Sequence, residues 1–77
     1  MSTSPDEIVS VLSRWLAGHL DNAAVQGPLE SADRARLSHE QAEIVDELLD
    51  ELAKAGPSKS GHLERTVRET LEVLATG

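Results

Sequence analysis

The chain has no cysteine, no phenylalanine and no tyrosine, and its only aromatic residue is Trp15. Without cysteine, disulfides, thiolate metal sites and cysteine catalysis are excluded. One indole cannot build a stacking platform for nucleic-acid bases, so Trp15 is read as a core residue. Basic residues are also scarce: seven Lys and Arg stand against fourteen Asp and Glu, for a net charge of −7. Nucleic acid and anionic membranes are bound through clustered Lys or Arg, so neither is an expected partner. The expected partner has a basic face. Apolar runs are only two to three residues long, far short of a bilayer span. The opening "MSTSPDE" is polar and acidic, unlike a signal or transit peptide, and a cytoplasmic protein is expected.

What remains is a chain of 77 residues, 39 % apolar, read as a single domain over 1–77 near the lower size that one core can support. Such a core is held by packing alone, which favours helices. Ser4-Pro5-Asp6-Glu7 combines a serine cap, proline at the first helical position and glutamate at the third. Ile8, Val11, Leu12, Trp15, Leu16 and Leu20 then recur at helical spacing, which predicts a first helix from about Pro5 to Leu20. Ser38 caps a second helix near 38–55, with Gln41 completing a capping box and Leu37 stapling its start. Ala42, Val45, Leu48, Leu49 and Leu52 form the inward stripe there, with Ile44 on its flank, and Gly56-Pro57 ends it. Leu63, Val67, Leu71 and Leu74 predict a third helix near 62–75. Between the first two lies a long loop, Asp21 to Arg36, in which Pro28 to Arg36 could supply a turn or two with Leu29 and Ala32 inward. No stretch alternates with strand period. The expected fold is all-α, a small three- to four-helix bundle with a long first loop.

Candidate chemistry is sparse. As a helix cap Ser38 satisfies an orphan N–H, a contribution of about 1 kcal/mol that by itself explains its identity. His39 is the next residue, but a catalytic triad needs nucleophile and base brought together by the fold beside an oxyanion hole. Glu40, Glu43, Asp46, Glu47, Asp50 and Glu51 gather opposite the apolar stripe of the second helix. A charged face is ordinarily just solvated. Six acids with no base before Lys54 repel one another, however, and this hints at docking. His39 and Glu43 lie four apart without a third ligand, so no metal site is expected. His19 is placed on the first helix's apolar face near its C-terminus, where the dipole favours an imidazole. No nucleophile–base pair or ligand cluster is visible, so no enzyme is expected.

These features resemble the acyl carrier protein family, a small acidic helical bundle with a long first loop and a serine capping its second helix. "AEIVDELLDEL", Ala42 to Leu52, is similar to the family's acidic helix. "TVRETLEVL", Thr66 to Leu74, resembles its final helix, which commonly opens with Thr-Val, and the interval from Ser38 to Thr66 (66 − 38 = 28 residues) is similar too. The residues around the serine are Leu37-Ser38-His39 where the family has Asp-Ser-Leu. The resemblance implies a 4′-phosphopantetheine arm on Ser38 that holds an acyl, polyketide or aminoacyl cargo as a thioester. It implies a phosphopantetheinyl transferase and basic-faced biosynthetic enzymes as partners. Glu40, Glu43, Asp46, Glu47, Asp50 and Glu51 would guide docking, and an interior lined by Trp15, Val45, Leu49 and Leu71 could shelter a short acyl chain. A monomer is expected. The composition fits equally well an armless acidic interaction or adaptor protein, such as an inhibitor that mimics nucleic acid.

Overall fold

A computed structural model describes residues 3–76 of the chain. Four helices follow in order, α1 (Pro5–Leu16), α2 (Asn22–Glu30), α3 (His39–Ala55) and α4 (Gly61–Thr76), with a 3-10 turn at Arg34–Arg36 before α3. Each packs on its chain neighbour, α4 closes back onto α1, and the α3–α4 contact is the most extensive. The chain is thus a small all-α bundle, and its short connections keep consecutive helices side by side.

Helix α1 begins at Pro5 as the sequence indicates, with the Ser4 side chain accepting from the Glu7 N–H at 3.3 Å, though the Glu7 side chain does not return the bond that would close a capping box. Ile8, Leu12 and Trp15 are buried on its inner face. The helix stops at Leu16, not at the expected Leu20. The cause is Gly18, whose φ of 84° is left-handed. Its N–H donates to the Trp15 carbonyl at 3.0 Å, and the His19 N–H donates to that of Arg14 at 2.9 Å. This pair of bonds is the Schellman closure that glycine makes easy. His19 therefore lies beyond the helix and exposed, contrary to its expected place on the apolar face.

The expected long loop is in large part helix α2. Asp21 caps it, accepting from the Ala24 N–H at 2.8 Å, and Val25 and Leu29 are buried along it. Pro28 sits in the last turn of this helix. The carbonyl that proline deprives of a donor there is that of Ala24, an exposed residue that water can reach. Leu29 and Ala32 do face inward. The N-terminal segment is clasped to the end of α2: the Thr3 N–H donates to the Ser31 carbonyl at 2.8 Å, and the Asp33 N–H to that of Thr3 at 3.1 Å.

Two inward stripes are turned slightly from expectation. In α3 the buried residues are Gln41, Val45, Leu48 and Leu52, while Ala42 and Leu49 are half-buried at the margin. In α4 they are Leu63, Thr66, Val67 and Thr70, and Leu71 and Leu74 are half-buried. The threonines tolerate burial because each hydroxyl donates within its own helix, Thr66 to the His62 carbonyl at 3.1 Å and Thr70 to that of Thr66 at 2.8 Å. Gly56 ends α3 with φ 59° and ψ −129°, the conformation of the second residue of a type II′ turn, which the Ser58 N–H closes on the Ala55 carbonyl at 3.2 Å.

A buried amide joins the connections at this end of the bundle. Asn22 Oδ1 accepts from the Trp15 indole N–H at 2.7 Å, and Asn22 Nδ2 donates to the carbonyls of Gly56 at 2.8 Å and Ser58 at 2.7 Å. Lys59 covers the outer side, with its Nζ 5.0 Å from the Trp15 ring centre and donating to the Trp15 carbonyl at 3.4 Å. Two substitutions test this packing by chemical denaturation. Leu48 is fully buried, and Leu48→Ala is expected to lose about 2–5 kcal/mol. Asn22→Ala is expected to lose about 1–3 kcal/mol, because the buried indole N–H is left without an acceptor.

Candidate functional site: the head and outer face of α3

Ser38 stands exposed at the start of α3, in extended backbone with φ −69° and ψ 168°. Its Oγ accepts from the Gln41 N–H at 3.2 Å, and its own N–H donates to Gln41 Oε1 at 2.9 Å. The expected capping box is complete. Leu37 packs partly buried against the core just before it, which fixes the direction of the incoming chain. Gln41 has a second engagement that the sequence does not disclose. It is only 6 % exposed, and its Nε2 donates to the carbonyls of Val73 at 3.4 Å and Leu74 at 3.5 Å in the last turn of α4.

The six acids do line the outer face of α3, but not as six unopposed charges. Asp46 is paired with Arg34 and Asp50 with Lys54 at 2.9 Å, while Glu43 and Glu51 meet the ring nitrogens of His39 at 2.8 Å and His62 at 3.1 Å, contacts that oppose charge only when the imidazole is protonated. Arg34 and His62 come from the 3-10 turn and from α4, so no spacing within α3 could reveal them. Glu40 and Glu47 have no ion-pair partner among the described residues. The hydrogen bond and charge of Asp50 hold the Lys54 ammonium above its ordinary range. Because both groups are exposed, that pairing contributes little stability.

His39 reaches one turn down the helix to Glu43, and so the residue next to Ser38 is engaged elsewhere. His39 and Glu43 remain a pair only: among the described residues no group of three His, Asp or Glu side chains could hold a metal. No described helix is long and apolar enough to cross a membrane.

A cleft of about 300 Å³ opens between the start of α2 and the end of α3, bounded by Asp21, Asn22, Ala23, Gln26, Gly56 and Pro57. It lies at the far end of α3 from Ser38. For a helix of 17 residues the separation is about 26 Å, at a rise of 1.5 Å per residue. None of Trp15, Val45, Leu49 and Leu71 lines this cleft. Trp15 and Val45 are closed off in the core, and Leu49 and Leu71 are half-buried around it.

Two further features bear on the resemblance. Thr66 and Val67 are buried well inside α4, which begins at Gly61, and do not open a helix. Helix α2 occupies most of the expected first loop. No known protein family, curated protein or solved structure matches this chain.

Proposed function

We propose that the chain is a carrier protein, with Ser38 as the attachment point of a phosphopantetheine arm and the outer face of α3 as the surface read by basic partner enzymes. The observation that carries this reading is the position of Ser38, exposed at the head of a helix whose solvent face is acidic. The residues present fit an attached phosphodiester. The Oγ projects at a helix N-terminus, where free N–H groups and the positive end of the dipole favour phosphate. Glu40 in the first turn opposes this by charge. In the loading step the Ser38 Oγ–P bond forms as the pyrophosphate P–O bond of coenzyme A breaks. Adenosine 3′,5′-bisphosphate leaves, and the hydroxyl proton passes to the transferase. When attached, the arm supplies the thiol that holds the cargo. The chain's own part is to present Ser38, to keep the bundle rigid behind it, and to offer its charges for fast, weak encounters.

The second reading is an adaptor that docks through the same acidic face without an arm. It is favoured by Leu37 and His39 beside the serine and by the burial of Thr66 and Val67 inside α4.

Intact mass separates the two. Incubation with coenzyme A and a broad-specificity phosphopantetheinyl transferase is expected to add one arm to the wild type and none to Ser38→Ala or Ser38→Asp. The alanine variant also loses about 1 kcal/mol of capping, whereas aspartate keeps a capping oxygen and so controls for folding. No adduct on folded wild type favours the adaptor, and an adduct at another serine removes Ser38 from the site. Docking is tested independently by Glu43→Gln with Glu47→Gln. Association with a basic partner is expected to slow and to become less sensitive to salt. Affinity indifferent to both changes would leave the face a solvated surface alone.

A further inference from the structure

Gln41 is a polar side chain buried between two helix ends. Its Oε1 accepts from the Ser38 N–H, and its Nε2 donates to the carbonyls of Val73 and Leu74. Those two carbonyls belong to the last four residues of α4, whose carbonyls have no donor one turn further on among the described residues. One amide therefore completes the N-terminal cap of α3 and covers the C-terminal end of α4. A capping box alone needs only an exposed Glu or Gln at the third position. Here the residue is instead nine-tenths buried, and all its polar atoms are engaged. An amide suits this place better than a carboxylate, which would set a negative charge against the negative end of the α4 dipole.

We infer that Gln41 is the positioning residue of Ser38: by tying the Ser38 N–H to the last turn of α4 its side chain fixes the Ser38 backbone, and with it the place of the hydroxyl, for transfer. The inference rests on the carrier reading above. Docking through the acids of α3 sets how often a transferase meets the chain. Gln41 governs whether the nucleophile is in place when it does. The two functions separate kinetically, since a misplaced nucleophile lowers the chemical step while the docking surface is untouched.

The experiment compares wild type, Gln41→Met and Gln41→Glu as substrates of a phosphopantetheinyl transferase with coenzyme A, at a temperature where melting curves show all three folded. Methionine fills a similar volume and removes both sets of hydrogen bonds. For Gln41→Met, kcat is expected to fall about ten- to a hundredfold, the scale on which misplacement of a reacting group acts, with KM unchanged. Hydrogen exchange of the Ser38 amide, measured by NMR without any transferase, is expected to be protected in wild type and fast in this variant. Gln41→Glu adds a signature that general loosening would not produce. Only its protonated form can donate to Val73 and Leu74, so its kcat relative to wild type is expected to rise as pH falls through the titration of that carboxyl. Equal kcat for wild type and Gln41→Met, unchanged Ser38 exchange, or a flat pH ratio for Gln41→Glu would overturn the inference and leave the carrier reading standing. A wild type that accepts no arm would overturn both.

Discussion

The arrangement depends first on the hydrogen bonding of a single buried amide, Asn22. An indole N–H can only donate, so a buried tryptophan must find an acceptor. Trp15 finds the carbonyl oxygen of Asn22, and this fixes which way the amide points, leaving both its hydrogens for Gly56 and Ser58. The type II′ turn after α3 brings those carbonyls to the same place. The end of α1, the start of α2 and the connection from α3 to α4 thus meet on one side chain. None of these contacts is strong by itself once exchange with water is counted, but leaving any partner unsatisfied in the interior is expensive. That asymmetry makes the junction a constraint on the fold more than a source of stability.

The opposite end of the bundle is closed in a related way, by Gln41 between α3 and α4 and by the backbone clasp of Thr3 on Ser31 and Asp33. Between these ends the core is almost wholly aliphatic, with Val45, Leu48, Leu52, Leu63 and Val67 facing Ile8, Leu12, Val25 and Leu29. Aliphatic packing alone tolerates small slides and rotations of one helix on another. An amide at each end, with bonds that must be met, removes that freedom. Ser38 benefits from this directly, since its cap is part of one of the two closures.

Much of the fold can be read along the chain because its helices obey local rules. Ser4-Pro5, Ser38 with Gln41, and Gly56-Pro57 mark boundaries that the structure keeps, and the inward positions Leu12, Trp15, Leu48, Leu52 and Val67 follow from spacing alone. Where the structure departs from these local rules, the causes are local too. Gly18 takes the left-handed conformation and ends α1, although Leu20 stands at a helical interval beyond it. Asp21 caps α2, and Pro28 is tolerated in that helix because it falls in the last turn. Thr66 and Thr70 take inward places between the aliphatic positions because each hydroxyl is satisfied within its own helix. What lay beyond local reading was tertiary pairing. Arg34 with Asp46, His62 with Glu51, Asn22 with Gly56, and Gln41 with Val73 join positions that no periodicity relates. The acidic face was therefore legible as a face, but the partners that reach it from outside α3, Arg34 and His62, were not.

The scarcity of aromatic residues gives the Asn22 junction an unusual visibility. Trp15 is the sole strong near-ultraviolet chromophore and fluorophore in the chain. Its ring is buried and hydrogen-bonded to Asn22, with a lysine ammonium over one side. Its emission and near-ultraviolet circular dichroism therefore report on one place, the meeting of α1, α2 and the turn after α3, with no second ring to confuse the signal. Far-ultraviolet signals average over all four helices. A loosening confined to the Ser38 end would thus be spectroscopically silent in Trp15, whereas opening of the Asn22 end would register before any helix melts. The protein carries a built-in optical probe of one pole of its bundle.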